Sequence, residues 1–244
     1  MENNSPMLAY SYMFKDNKFW LKYLVLLIMT LICILPTLLL GDSTLHSNKS
    51  GGGMLLYQVV NIFYAGYTCA CIKSLSEQHS NYILPFFNFK TQGIIGLKWL
   101  AASLLFGLAV GLVLTGAIIA LLIIGIFSKA ACIILGAIAA VALVLLIGIY
   151  SPAFYRMFAV TQDVFAFFRI KEIFKSVSDN SKNYFKYIGA YYLISFLCFI
   201  GLVLFSLPVA ANKAVHYTLI GLIMGLGCTY FNFAYMYICA KAIK

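Results

Sequence analysis

The sequence predicts an all-α integral membrane protein with six transmembrane helices arranged as three tandem helical hairpins carrying cytoplasmic interfacial segments. Three observations predict it. The chain is 63% apolar and only 10% charged, with positive mean hydropathy, whereas soluble domains carry about 25% charge. Six stretches, at 19–40, 54–72, 97–126, 130–155, 186–207 and 214–239, reach the ~20 mostly apolar residues that cross a hydrocarbon core. A short phrase also recurs where a span begins: Leu21-Lys22-Tyr23-Leu24, Leu97-Lys98-Trp99-Leu100 and Phe185-Lys186-Tyr187-Ile188. Each copy follows an aromatic-lysine pair, Phe14-Lys15, Phe89-Lys90 or Phe174-Lys175, as suits an interfacial segment feeding a transmembrane helix. The single membrane domain of residues 1–244 then divides into hairpin repeats near 8–75, 80–160 and 163–244.

The basic residues orient the first span and those that follow. With the N-terminus inside, the inner segments hold fourteen lysines and arginines and the outer loops only Lys49, Lys129 and Lys213, a strong positive-inside bias. Both termini are therefore expected in the cytoplasm. The net charge of +10 reflects this topology and attraction to anionic headgroups, and no nucleic-acid motif accompanies it. The first apolar run exceeds a signal-peptide core, and Leu39-Leu40-Gly41-Asp42 is a poor cleavage site, so the run is expected to remain as a signal anchor. No C-x-x-C pair occurs, and the cysteines read as small packing residues.

A polar, glycine-rich outer loop from Gly41 to Gly53 joins the first two spans. His46 within it has no second histidine or cysteine nearby with which to hold a metal. The third span carries Lys98 as its only charge between Ile94 and Phe127, about 50 Å of helix. The middle hairpin is thus expected to tilt, kink or project outward, with Thr115-Gly116 as its weakest point. Gly107 to Gly111 and Gly221 to Gly225 are G-x-x-x-G pairs, and the fourth span is rich in glycine and alanine, patterns that allow close helix packing or self-association. Before the fifth span, Asp163 to Val177 reads as an amphipathic interfacial helix. Ala166, Phe167, Ile170, Ile173, Phe174 and Val177 share one face, and Arg169, Lys171, Glu172, Lys175 and Ser176 the other. Arg169, Lys171, Lys175, Lys182 and Lys186 are the residues expected to meet anionic lipid.

No Asp, Glu or Arg lies at the centre of a span, which argues against proton relays, voltage sensors and ion-coupled carboxylate sites. The remaining intramembrane polar groups sit on spans two and six: Gln58, Asn61, Tyr64 and Tyr67, then Tyr230, Asn232, Tyr235 and Tyr237. Asn61-x-x-Tyr64 and Asn232-x-x-Tyr235 place amide and phenol on one helix face. They either line a shared ligand-binding cleft or serve as interhelical glue and aromatic belt. His79 and His216 fall on opposite membrane faces. No Ser-His-Asp set, H-E-x-x-H, G-x-S-x-G or phosphate loop is present, so no catalytic residue, metal or cofactor is assigned and no enzyme is expected.

Phe14-Lys15-Asp16 with Trp20 and Lys22, Leu35-Pro36, Gly66-Tyr67, Leu84-Pro85 and Gly93 together resemble the N-terminal pattern of an uncharacterised domain-of-unknown-function family of polytopic bacterial and archaeal membrane proteins. Pro152-Ala153 with Arg156, then Ala166-Phe167-Phe168-Arg169-Ile170-Lys171-Glu172-Ile173 and Asn183-Tyr184, is similar to its central segment. The resemblance implies a multi-pass protein of a prokaryotic inner membrane and carries no known activity. Mitochondrial carriers also have three hairpins, but Pro36 and Pro208 lack the acidic residue that their signature places two positions on. Two functions follow: a non-enzymatic membrane component that binds another membrane or envelope protein or a second copy, and a carrier or binder of a lipid or small lipophile.

Overall fold

The computed structural model describes residues 6–40, 51–77, 84–206 and 213–242, and every regular element among them is helical. A short helix α1 (Leu8–Ser11) and a 3-10 turn (Tyr12–Lys15) lead into α2 (Phe19–Leu40). Then come α3 (Gly51–Glu77), α4 (Phe89–Phe127) and α5 (Lys129–Thr161). A second 3-10 turn (Ala166–Phe168) precedes α6 (Ile170–Asp179), α7 (Ser181–Ser206) and α8 (Lys213–Lys241). Six long helices therefore occupy the six predicted stretches. Three of them, α4, α5 and α7, are long and apolar enough to cross a membrane by length and composition among the described residues. His46, His79, Pro208 and the loop from Gly41 to Ser50 lie outside those residues.

Packing pairs α3 with α4 and α2 with α8, and α5 lies against α3, α4 and α8. The α3–α4 crossing is closed by glycine. A Cβ on Gly66 would stand 1.8 Å from the Gln92 carbonyl oxygen, and one on Gly96 1.9 Å from that of Ile62. The two backbones therefore touch, which only glycine permits. From this crossing α3 has eleven residues left to its first residue and α4 thirty-one to its last, counted from Ile62 and Gly96. Along its axis α4 thus continues about 30 Å further than α3.

Burial follows the crossing. The large fully buried side chains, among them Tyr12, Tyr67, Phe158, Tyr184 and Phe233, gather where α1, the middle of α3, the start of α4 and the ends of α5 and α8 meet. Between Ser103 and Ser151 no described residue is buried, and Ile126 and Ile133 beside the α4–α5 turn are 80% and 72% exposed. Ser128 closes that turn by accepting from the Ala131 N–H at 3.3 Å, an N-cap for α5. Thr115-Gly116 does not interrupt α4. The Thr115 hydroxyl donates back to the Gly111 carbonyl at 2.8 Å, a bond that tends to bend a helix without ending it.

The expected amphipathic helix starts later than its periodicity suggests. Gln162 leaves α5 in the left-handed region at φ 53°, and Asp163 accepts from the Phe165 N–H at 3.0 Å and from Arg169 at 2.8 Å. These bonds hold a 3-10 turn, so α6 begins only at Ile170. The Phe165 N–H and Arg169 keep the Asp163 carboxyl below its ordinary pKa. Ala166, Phe167, Ile173 and Val177 are buried against the bundle, while Ile170 and Phe174 remain partly exposed. The apolar face is therefore divided between protein and surroundings.

Candidate functional site

The site residues predicted on spans two and six separate into three groups. Gln58 and Asn61 are exposed on α3. Tyr67 is fully buried, stacked on Phe87 at 4.3 Å, with its hydroxyl donating to the Pro85 carbonyl at 3.4 Å, and Tyr64 is half-buried one turn before it. Asn232 does cross to α3, its amide donating to Thr68 Oγ1 at 3.5 Å. Tyr235 turns instead to α5, 3.0 Å from Ser151 Oγ, with its ring edge on Tyr155. Asn61 and Asn232 are thus not brought together. Tyr230 reaches the Tyr10 carbonyl at 2.9 Å, and Tyr237 packs on Tyr12 at 4.8 Å.

A stronger polar centre lies at the foot of α2, where sequence reasoning saw only interfacial lysines. Lys22 is 2% exposed. Its ammonium donates to Asp16 Oδ2 at 2.6 Å and to the Leu84 carbonyl at 2.5 Å. Asp16 also accepts from the Leu84 N–H at 3.0 Å and, through Oδ1, from the Lys18 N–H at 2.9 Å. Burial pushes the Asp16 carboxyl up, but the Lys22 ammonium and the Lys18 and Leu84 N–H groups outweigh it and hold the carboxyl below its ordinary pKa. Charge pairing with full hydrogen bonding is the condition under which a buried ion pair persists. The connecting segment after Leu84 is held further by Gln92, whose side-chain amide donates to the Phe86 carbonyl at 3.0 Å, and by Lys18, 5.3 Å from the Phe86 ring. We call this assembly the knot.

A second cluster surrounds Pro152. Proline has no N–H, so the Gly148 carbonyl loses its helical partner. The Tyr192 hydroxyl supplies a bond to it at 2.6 Å, and Tyr184 donates to the neighbouring Ile149 carbonyl at 2.5 Å. Two phenols on α7 thereby tie it to α5. A proline inside a span followed by a tyrosine-rich one was the available signal. Beside this cluster, a pocket of about 90 Å³ between α5 and α6 is lined by Ala153, Arg156, Met157, Val160, Ile173 and Ser176.

The residues expected at the lipid surface are exposed: Arg169, Lys171, Lys175, Lys182 and Lys186. Arg169 spends its charge on Asp163 at 2.8 Å, with Glu172 at 3.8 Å. Among the described residues no three His, Cys, Asp or Glu side chains converge on one point.

No curated protein and no solved structure matches the chain. Residues 51–210 match the family described as a protein of unknown function, DUF4013. The matched segment holds the α3–α4 crossing, Leu84-Pro85, the Pro152 cluster and α6, while Asp16 and Lys22 lie before it. The fold is therefore that of an apolar helical protein whose glycine crossing and proline-phenol cluster fall within a shared domain, and the chain belongs to the DUF4013 family of proteins of unknown function.

Proposed function

We propose that the chain is a non-enzymatic, six-span component of the cytoplasmic membrane of a prokaryote, with both termini inside, that works by packing its α4–α5 hairpin against another membrane or envelope protein. One observation carries this reading: the hairpin continues far beyond the α3–α4 crossing, and no described residue between Ser103 and Ser151 is buried. The 39 residues of α4 amount to about 58 Å of helix, well beyond a hydrocarbon core of about 30 Å. Lipid alone covers an apolar helix of ordinary length, whereas an apolar tip beyond that thickness needs another cover. A Cβ placed on Gly107 or Gly111 would meet nothing within 4 Å, so the face they share is open to the close approach that small residues permit.

Photocrosslinking in the native membrane tests the reading. A photoreactive residue at Leu112, Ile126 or Ile133 is expected to capture one discrete protein, and the same group at Phe196 on the exposed side of α7 to capture lipid. Lipid adducts alone at all four positions would overturn it, and an adduct of twice the chain's mass would identify the partner as a second copy.

A further inference from the structure

The chain has two arginines, Arg156 and Arg169, and they are in opposite situations. Arg169 is exposed and paired with Asp163. Arg156 is half-buried on α5, takes part in no ion pair or hydrogen bond among the described residues, and keeps a fully buried Nε without a partner. A guanidinium stays charged and presents five donors in a fixed fork that matches carboxylate or phosphate oxygens. A buried N–H such as the Nε is costly unless something accepts from it.

The surroundings specify what would accept. Arg156 opens into the pocket between α5 and α6, whose other walls are Ala153, Met157, Val160 and Ile173, with Ser176 as the one further polar side chain. One cation, one hydroxyl and an apolar wall suit a ligand with one compact anionic group on an alkyl stem. A free anion would leave the apolar wall wet, and a neutral lipid would leave the charge unanswered. The pocket is small, about 90 Å³, so the stem must leave it over Val160, which is 44% exposed.

The roof of the pocket is held in place before any ligand arrives. Ile173 and Val177 are buried under α6, the Phe174 ring lies 4.4 Å from Tyr150, and the Asp163–Arg169 pair fixes the elbow from which α6 starts. Preorganisation of this kind lowers the entropy lost on binding. Arg156 stands five residues before the end of α5, near the depth where a headgroup meets the acyl region. Lys171 and Lys175 are exposed on α6, adding positive potential that draws acidic lipid toward the site.

We propose that Arg156 and Ser176 form a site for the headgroup of one acidic lipid bearing a phosphate monoester or carboxylate, with the start of its acyl chain along Met157, Val160 and Ile173. The site is independent of the hairpin contact proposed above. The test is native mass spectrometry of the full chain, delipidated in mild detergent and titrated with phosphatidic acid or with phosphatidylcholine. One phosphatidic acid per chain is expected to bind in preference to phosphatidylcholine. Arg156→Gln should weaken it about tenfold or more and Arg156→Lys less, because lysine keeps charge but not the fork. Val160→Trp, which fills the exit while leaving Arg156 in place, should weaken it similarly and serves if Arg156→Gln does not fold. Lys171→Gln should stay within about twofold of the unaltered chain, since one rim charge adds little.

Equal phosphatidic acid binding by the unaltered chain and by Arg156→Gln or Val160→Trp would overturn the site. Displacement of phosphatidic acid by inorganic phosphate at comparable concentration would assign the pocket to a free anion and overturn the lipid assignment.

Discussion

Helix α4 contains two regions in opposite surroundings. Its first fourteen residues, from Phe89, carry the buried Gln92, Ile95 and Ala102 and lie against α3 and the knot; the remainder, from Ser103 to Phe127, buries no described side chain. The packed region is the more polar of the two, holding Lys90, Thr91, Gln92 and Lys98, so hydropathy alone would place the burial at the other end. The difference is made by Gly66 and Gly96, which let α3 and α4 touch, and by the polar groups of the knot, which have nowhere else to bond. Where the chain meets hydrocarbon on every side, apolar residues gain little from leaving lipid for one another, so close approach and hydrogen bonds decide which helices pack.

Breaking the knot gives the largest effect. Lys22→Met would leave Asp16 buried and unpaired, a loss of about 3–5 kcal/mol, read as a fall in melting temperature in detergent, whereas Lys98→Met, on an exposed lysine of the corresponding phrase, should change little. Acid reaches the same pair. Because the folded Asp16 carboxyl is depressed, its contribution is complete above the unfolded value of about 3.9 and is lost as pH falls through the lower folded value. Trp20 packs on Phe14 and Phe19 beside this pair, so tryptophan fluorescence should change in acid before far-ultraviolet circular dichroism does.

The two regions of α4 can be compared with one substitution type. Gly96→Ala drives a methyl into the Ile62 carbonyl and should cost about 1–3 kcal/mol or more. Gly107→Ala meets nothing and should gain about 0.5–1 kcal/mol from reduced backbone freedom. Opposite signs in thermal unfolding would sharpen the contrast, and equal losses would erase it. The smallest effect is expected at the Pro152 cluster, where Tyr192→Phe removes the bond to Gly148 and should cost about 0.5–1.5 kcal/mol. Pro152→Ala restores the helical donor for that carbonyl, so the double variant should lose less than the sum of the two single changes.

The six long helices were legible because a 20-residue apolar run has few alternative structures. The recurring lysine phrase misled in one respect. Its three copies look equivalent, yet Lys22 is buried in an ion pair while Lys98 and Lys186 are exposed. The partners that bury Lys22, Asp16 and the Leu84 carbonyl, are 6 and 62 residues away, and no periodicity reports such a meeting. The spacing of Asn61 and Asn232 suggested a shared cleft, but a common helical spacing says nothing about how far two helices are offset along each other. Asn61 and Thr68 share one face of α3, and Asn232 meets that face at Thr68, about 10 Å along the axis from the exposed Asn61. Arg156 was visible as a basic residue near the end of a span; that it has no partner and opens into a pocket was not.

By itself the sequence determined the apolar helices, their order and the positions of glycine and proline, because these depend on local hydropathy and backbone chemistry. Tertiary structure decided which lysine is buried, which carbonyl each phenol answers and which arginine is left unpaired. Those outcomes depend on helix rotation and on contacts between distant residues, where a shift of a few ångströms makes or removes a hydrogen bond.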